Sequence, residues 1–206
     1  QGWEDVLERT AFILGEEVAE FERAYEAFTG LQHCVGVANG TDALELALRA
    51  LDIGAGDEVI VPANSFAASA LAVRRCGALP VFVDVDPVHL LIEVEHVADT
   101  VGSRTRAVMP VHLYGQIAPV EDLVEVIGSD LHVVEDCAQA QGATRHQAHA
   151  GGLGSIGGTS FYPGKNLGAY GDGGAVLTRD GELADRVRAL RNYGSSQKYV
   201  HDELGF

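Results

Sequence analysis

The sequence is poor in positive charge. Its 206 residues hold fourteen Lys and Arg against thirty Asp and Glu, a formal net charge of −16. Such a chain repels phosphate backbones and anionic lipid, so neither nucleic acid nor a membrane is expected as its main partner. A local basic pocket for an anionic small molecule stays possible. No apolar run reaches membrane-spanning length. The first thirty residues carry many charges and no signal-peptide pattern. The three cysteines, Cys34, Cys76 and Cys137, are widely spaced and form no metal or redox motif, which points to a reduced, cytoplasmic setting. Of eight histidines only His146 and His149 approach ligand spacing, and they lie in a Gly/Ala-rich segment that reads as solvated loop. There is no Walker sequence, and no G-x-G-x-x-G opens the first helix. Gly168-Ala-Tyr-Gly171-Asp-Gly173 does not stand in strand-turn-helix order, so the common nucleotide motifs fail. The chain opens at Gln1, its one methionine is Met109, and it stops at Phe206 without terminator character; it reads as a piece of a longer protein.

What is present is a globular composition, 47% hydrophobic and 21% charged, on a chain long enough to bury one full core. Leu14, Val18, Phe21, Tyr25 and Phe28 recur at helical spacing and predict a helix over 16–28, closed by Gly30 in the left-handed conformation. Strands are predicted at 34–38, 58–61, 81–84, 107–111, 131–135, 158–162 and 175–178. Helices are predicted from Asn39-Gly40-Thr41 onward and at 66–75, 120–127 and 182–192. Several strands are apolar throughout, as in a mainly parallel α/β sheet buried on both faces. Ligands of such sheets bind beyond the carboxyl ends of the strands. The residues that follow each strand are therefore the ones to read.

The most unusual stretch is 157–174. It carries one lysine, Lys165, among the glycines 157, 158, 164, 168, 171, 173 and 174. That lysine could anchor a phosphate, act as a covalent amine, or be a solvated charge. Gly40 and Thr41 open a helix directly after a strand, which makes either an anion site or a plain capped turn. Asp136 follows the apolar run 131–135. It could hold a cationic nitrogen, a metal or a hydroxyl, or cap the next segment. Glu135 points the other way by strand alternation. Phe66 could stack on a flat ring, but by itself reads better as a core aromatic. Together these pieces ask for a flat, cationic, phosphorylated cofactor that reacts with an amine, and pyridoxal phosphate fits.

Val134-Glu-Asp136-Cys-Ala-Gln139-Ala and Ser160-Phe-Tyr-Pro-Gly-Lys165-Asn-Leu-Gly-Ala resemble the signatures of the DegT/StrS sugar aminotransferases. Asn39-Gly-Thr41-Asp-Ala-Leu44, Pro110-Val-His-Leu-Tyr-Gly-Gln116 and Gly171-Asp-Gly-Gly174 match as well, in the right order from about Leu14 to the end. The resemblance implies an aspartate aminotransferase-like large domain over 14–206, with a seven-stranded, mostly parallel sheet. Residues 1–13 would form an N-terminal arm, and the family's small C-terminal domain would be missing from this chain. It implies Lys165 as the lysine joined to the cofactor, Asp136 on the pyridine nitrogen and Gln139 near the phenolic oxygen. Gly40, Thr41 and Ser160 would hold the phosphate, with Phe66 on the ring. The family's dimers share residues across the active site. Cys137 stands where alanine is also common, and Ser155 where an acid is frequent.

The resemblance further implies transamination, with an amino acid such as L-glutamate as donor and a nucleotide-linked keto-sugar as acceptor. The tail Leu190-Arg-Asn-Tyr-Gly-Ser195 and Gln197-Lys198-Tyr199 is similar to members that aminate C3 of dTDP-3-keto-6-deoxyhexoses, for antibiotic or surface-glycan sugars. Lys198 would meet the substrate diphosphate or be a solvated lysine. Amination at C4 stays open, as does a noncatalytic truncated remnant. The family's sugar dehydratases carry histidine at the lysine position, so Lys165 argues against that class.

Overall fold

In the computed structural model, which describes residues 2–197, 200–201 and 204–206, the chain forms an α/β sandwich. The central strands are β1 (His33–Val37), β2 (Glu58–Pro62), β3 (Leu79–Val83), β4 (Thr105–Val108), β5 (His132–Asp136), β6 (Ile156–Ser160) and β7 (Gly174–Thr178). They make one seven-stranded sheet in the order β1-β7-β6-β5-β4-β2-β3. Pairing is parallel from β6 through to β3, and β7 runs antiparallel to both β6 and β1. The expected seven-stranded, mostly parallel sheet is thus present. Several ends shift by one to three residues. Residues 109–111 continue β4 only as a bridge from Val111 to Asp136, because Pro110 has no N–H to give the ladder.

Seven helices, α1 (Gly2–Arg9), α2 (Glu16–Thr29), α3 (Gly40–Ala50), α4 (Ala67–Arg75), α5 (Val94–Thr100), α6 (Val120–Ile127) and α7 (Gly181–Leu190), accompany the strands. Gly30 ends α2 at φ 67° with its N–H on Glu26 O, as its place after the apolar face predicts. Alternation along β5 divides the core. Val134 packs with residues of α3, α4 and α7, whereas Val133 packs with α5 and α6. Asp136 therefore shares the side of α4, and Glu135 lies on the other. Helices α1 and α5 are absent from the sequence expectation. The first carries Trp3, Val6 and Leu7 at helical spacing but buries no residue, and the second buries only Val97.

The two sheet edges are closed differently. On β1 the outward N–H groups of Cys34 and Gly36 donate to Glu26 and Glu22 of α2, at 2.9 and 2.8 Å, and Arg191 donates to Gly36 O. On β3, Leu79 N–H and Val83 O bond inward, to Asp57 O and Ala63 N–H. Pro80 then faces out, without a donor to recruit another strand.

Candidate active site

The carboxyl ends of β1, β2, β5 and β6 and the start of β7 lie on one rim of the sheet, where the parallel order and the antiparallel β7 bring them together. Val37 of β1 and Ser160 of β6 both pair with Gly174 of β7. The turn into α3 sits directly against them. A Cβ on Gly40 would lie 2.6 Å from Ser160 Cβ, and one on Gly174 would lie 2.4 Å from the Asn39 carbonyl. Only glycine fits at either position.

Asn39 caps α3, its side chain accepting from Asp42 N–H at 2.9 Å, while Ala43 N–H bonds Asn39 O. Among the described residues no partner takes the N–H of Gly40 or Thr41. Ser160 is buried; its Oγ accepts from Tyr162 N–H at 3.3 Å and keeps its own proton to donate. Two free N–H groups at a helix N-terminus beside two hydroxyls make a ready anion site. Gly40, Thr41 and Ser160 are thus brought together.

Asp136 is 5% exposed at the end of β5. Its Oδ1 accepts from Ala138 N–H at 3.1 Å, so it does cap its own turn, and its Oδ2 accepts from Ser69 Oγ at 2.7 Å. Burial pushes its carboxyl above the usual range, while the Ser69 and Ala138 hydrogen bonds and the nearby Lys165 charge pull it back. Two acceptor positions remain for a cationic partner. Lys165 is half-buried in the turn after β6, its N–H on Tyr162 O at 2.8 Å, and its amine has no partner among the described residues. Gln139 accepts from Tyr114 N–H at 2.9 Å through Oε1, which leaves its NH₂ free to donate. Tyr114 is held at φ 58° to supply that contact, a strained backbone of the kind found at functional sites.

Phe66 is 76% exposed at the N-cap of α4. The core-aromatic reading of its position fails, because the helix turns it off the buried Ser69, Ala72 and Val73 face. His149 also departs from expectation. It is half-buried against Phe28, with ring centroids 5.8 Å apart, whereas His146 is the exposed loop residue expected. Lys198 lies outside the described residues. Sequence reasoning missed Ser69, because its partner is distant in the chain and a serine in an Ala-rich helix reads as filler.

On the opposite face, Glu135 is fully buried. Its Oε2 takes His112 Nε2 and Gly151 N–H at 2.8 and 2.9 Å, and its Oε1 takes Leu153 and Gly154 N–H at 2.8 and 2.7 Å. His112 Nδ1 accepts from Ala118 N–H at 3.1 Å, which fixes the proton on Nε2. Cys137 lies beside this pair, and burial drives its thiol well above its ordinary value. With the imidazole lone pair and the carboxylate oxygens already taken, the cluster is a structural clamp rather than a cation site. A large apolar cleft lined by Phe12, Leu14, Val18, Phe21, Leu167 and Tyr193 contains neither Lys165 nor Asp136.

The model of the DegT/DnrJ/EryC1/StrS aminotransferase family matches residues 1–206. The chain belongs to this family. Similar relatives include a dTDP-3-amino-3,4,6-trideoxy-alpha-D-glucose transaminase of Streptomyces venezuelae, 50% identical over 97% of this chain and 53% of the relative. A UDP-N-acetyl-3-dehydro-alpha-D-glucosamine 3-aminotransferase of Acidithiobacillus ferrooxidans is 48% identical over 98% of this chain and 55% of its own length. Among solved structures, S. venezuelae DesV in complex with a ketimine intermediate superposes with a TM-score of 0.95 at 49% identity, covering 98% of this chain and 55% of that one. The chain spans about half the length of the relatives it matches. Among the described residues no helix is long and apolar enough to cross a membrane.

Proposed function

We propose that the protein is a transaminase that uses pyridoxal phosphate to aminate a nucleotide-linked keto-deoxysugar, at C3 of a dTDP-3-keto-6-deoxyhexose, with L-glutamate as donor. The observation that carries this reading is the amine of Lys165, on the loop after β6, without a partner among the described residues and within electrostatic reach of the buried Asp136. The remaining contacts fit the cofactor. Gly40 and Thr41 N–H groups with the Thr41 and Ser160 hydroxyls suit a phosphate. Asp136 suits a ring N–H⁺, Gln139 NH₂ an oxyanion, and the exposed face of Phe66 a flat ring.

Pyridoxal phosphate supplies an electron sink that lowers the barrier to breaking the C–H bond beside a substrate amine. Lys165 would anchor it and, once its amine is free, would carry the proton at Nζ between the substrate carbon and the cofactor. Asp136 keeps the ring nitrogen protonated by holding a negative charge where burial makes that charge count most. The phosphate contacts fix register without taking part in proton transfer.

The substrate assignment is supported by the S. venezuelae relative, a dTDP-3-amino-sugar transaminase, and by the Leu190-to-Ser195 segment. The Acidithiobacillus relative supports a second reading, amination of a UDP-linked 3-keto sugar. Residues 1–13 are taken as an arm and 14–206 as the cofactor-binding large domain. The working unit is a homodimer, a reading supported by the exposed Phe66, Tyr114, Tyr162 and Tyr170. We place the protein in the cytoplasm. The test is an amination assay of the full-length protein with dTDP-3-keto, dTDP-4-keto and UDP-3-keto sugars side by side. Turnover is expected with the first. Turnover with either of the others alone would reassign the acceptor.

A further inference from the structure

A chain of hydroxyls runs behind Asp136. Ser69 Oγ lies 2.7 Å from Asp136 Oδ2 and 2.7 Å from Ser65 Oγ. Ser69 is 1% exposed and Ser65 half-buried, so the chain runs from the buried acid toward the rim. A serine inside a helix ordinarily bonds the carbonyl three or four residues back. Here Phe66 O is 3.5 Å away, too far to compete with Asp136 at 2.7 Å. Each hydroxyl has one proton. If Ser69 donates to Asp136, its lone pairs face Ser65, which must then donate to Ser69. The order Ser65 to Ser69 to Asp136 sets two hydroxyl donors in line on Oδ2 of an ionised Asp136, whose oxygens can only accept.

We propose that Ser69, backed by Ser65, is a positioning residue that fixes Asp136 Oδ2 and holds the carboxyl ionised for the cationic ring nitrogen. The inference rests on the assignment of this site to pyridoxal phosphate. Without Ser69, Asp136 keeps a single donor, Ala138 N–H, in a buried place that disfavours charge. A role in helix packing alone makes a different forecast. Alanine would then suit an Ala-rich helix, and the acid would be indifferent to the change.

The test compares wild type with Ser69→Ala, Ser69→Thr, Ser65→Ala and Asp136→Asn in the full-length protein. In the cofactor-free form, infrared titration of the buried carboxyl is expected to move upward by about 1–2 pH units in Ser69→Ala. The shift should be smaller in Ser65→Ala and near zero in Ser69→Thr, which keeps the hydroxyl. With pyridoxal phosphate added, the pH midpoint of the visible band should move in Ser69→Ala in the direction set by Asp136→Asn, and return in Ser69→Thr. Unchanged titrations in Ser69→Ala beside a clear Asp136→Asn effect would overturn the proposal. If Ser69→Ala fails to fold, Ser65→Ala decides in the same way. Wild type that takes up no pyridoxal phosphate would refute the site assignment, while the infrared arm would still decide the role of Ser69.

Discussion

Glu135 and Asp136 are successive residues at the end of β5, and both are buried, at 0% and 5% exposure. Strand alternation sends them to opposite faces. Behind the sheet, Glu135 meets four donors that tie His112 and the 151–154 loop to the strand. In front, Asp136 meets two donors and keeps two acceptor positions open, with the Lys165 charge within electrostatic reach. The chemistry and the burial are nearly equal, so the number of unfilled acceptor positions separates the structural acid from the one we propose works at the cofactor. A buried carboxylate with every lone pair in use can only hold the fold together. One left partly unfilled asks for a partner from outside.

That contrast can be broken by exchanging charge for a neutral isostere at each site. The largest effect is expected at Asp136. Asp136→Asn should lower turnover about 10²–10³-fold, with no loss of melting temperature; paired kinetics and calorimetry would check both halves. Glu135→Gln should do the reverse. An NH₂ at either end faces two donors, so about 2–6 kcal/mol of stability goes at roughly 1–3 kcal/mol per orphaned group, read by denaturant unfolding. Stability loss at Asp136 and activity loss alone at Glu135 would invert the contrast.

The smallest effect concerns pH. Burial raises the carboxyl of Asp136 in the folded, cofactor-free protein. Its charged form is therefore disfavoured on folding. Stability is unaffected below the unfolded value of about 3.9 and declines as pH rises through the raised folded value. Melting curves of the cofactor-free protein should show Asp136→Asn gaining on wild type across that window and matching it below. A gap already present below that window would mean the substitution acts through packing rather than charge.

The two faces were not equally legible. All seven strands and α6 could be read from apolar runs and spacing, because buried strands and amphipathic helices write themselves into local sequence. Lys165, Asp136 and the Gly40-Thr41 turn could be picked out as candidates for another reason: each lies at or beyond the carboxyl end of a strand, where a parallel sheet exposes its ligand side. Glu135 was given its side by alternation, but its four donors come from residues 112 and 151–154, distances no local pattern encodes. Ser69 was silent on the same ground. Phe66 misled because an aromatic beside an Ala-rich helix normally packs inward, and only the turn at Pro62–Ser65 brings it to the surface. Helix α1 does carry a helical period, Trp3, Val6 and Leu7, in two short turns that sequence reasoning missed, and α5 buries only Val97.

We propose Lys165 as the covalent amine. It and Lys198 are the two lysines of the sequence. The most direct measurement is borohydride reduction of the full-length protein with pyridoxal phosphate, followed by peptide mass mapping. The account predicts a pyridoxyl mass on the peptide containing Lys165, lost in Lys165→Ala together with turnover. Modification of Lys198 instead, or full turnover in Lys165→Ala, would contradict it.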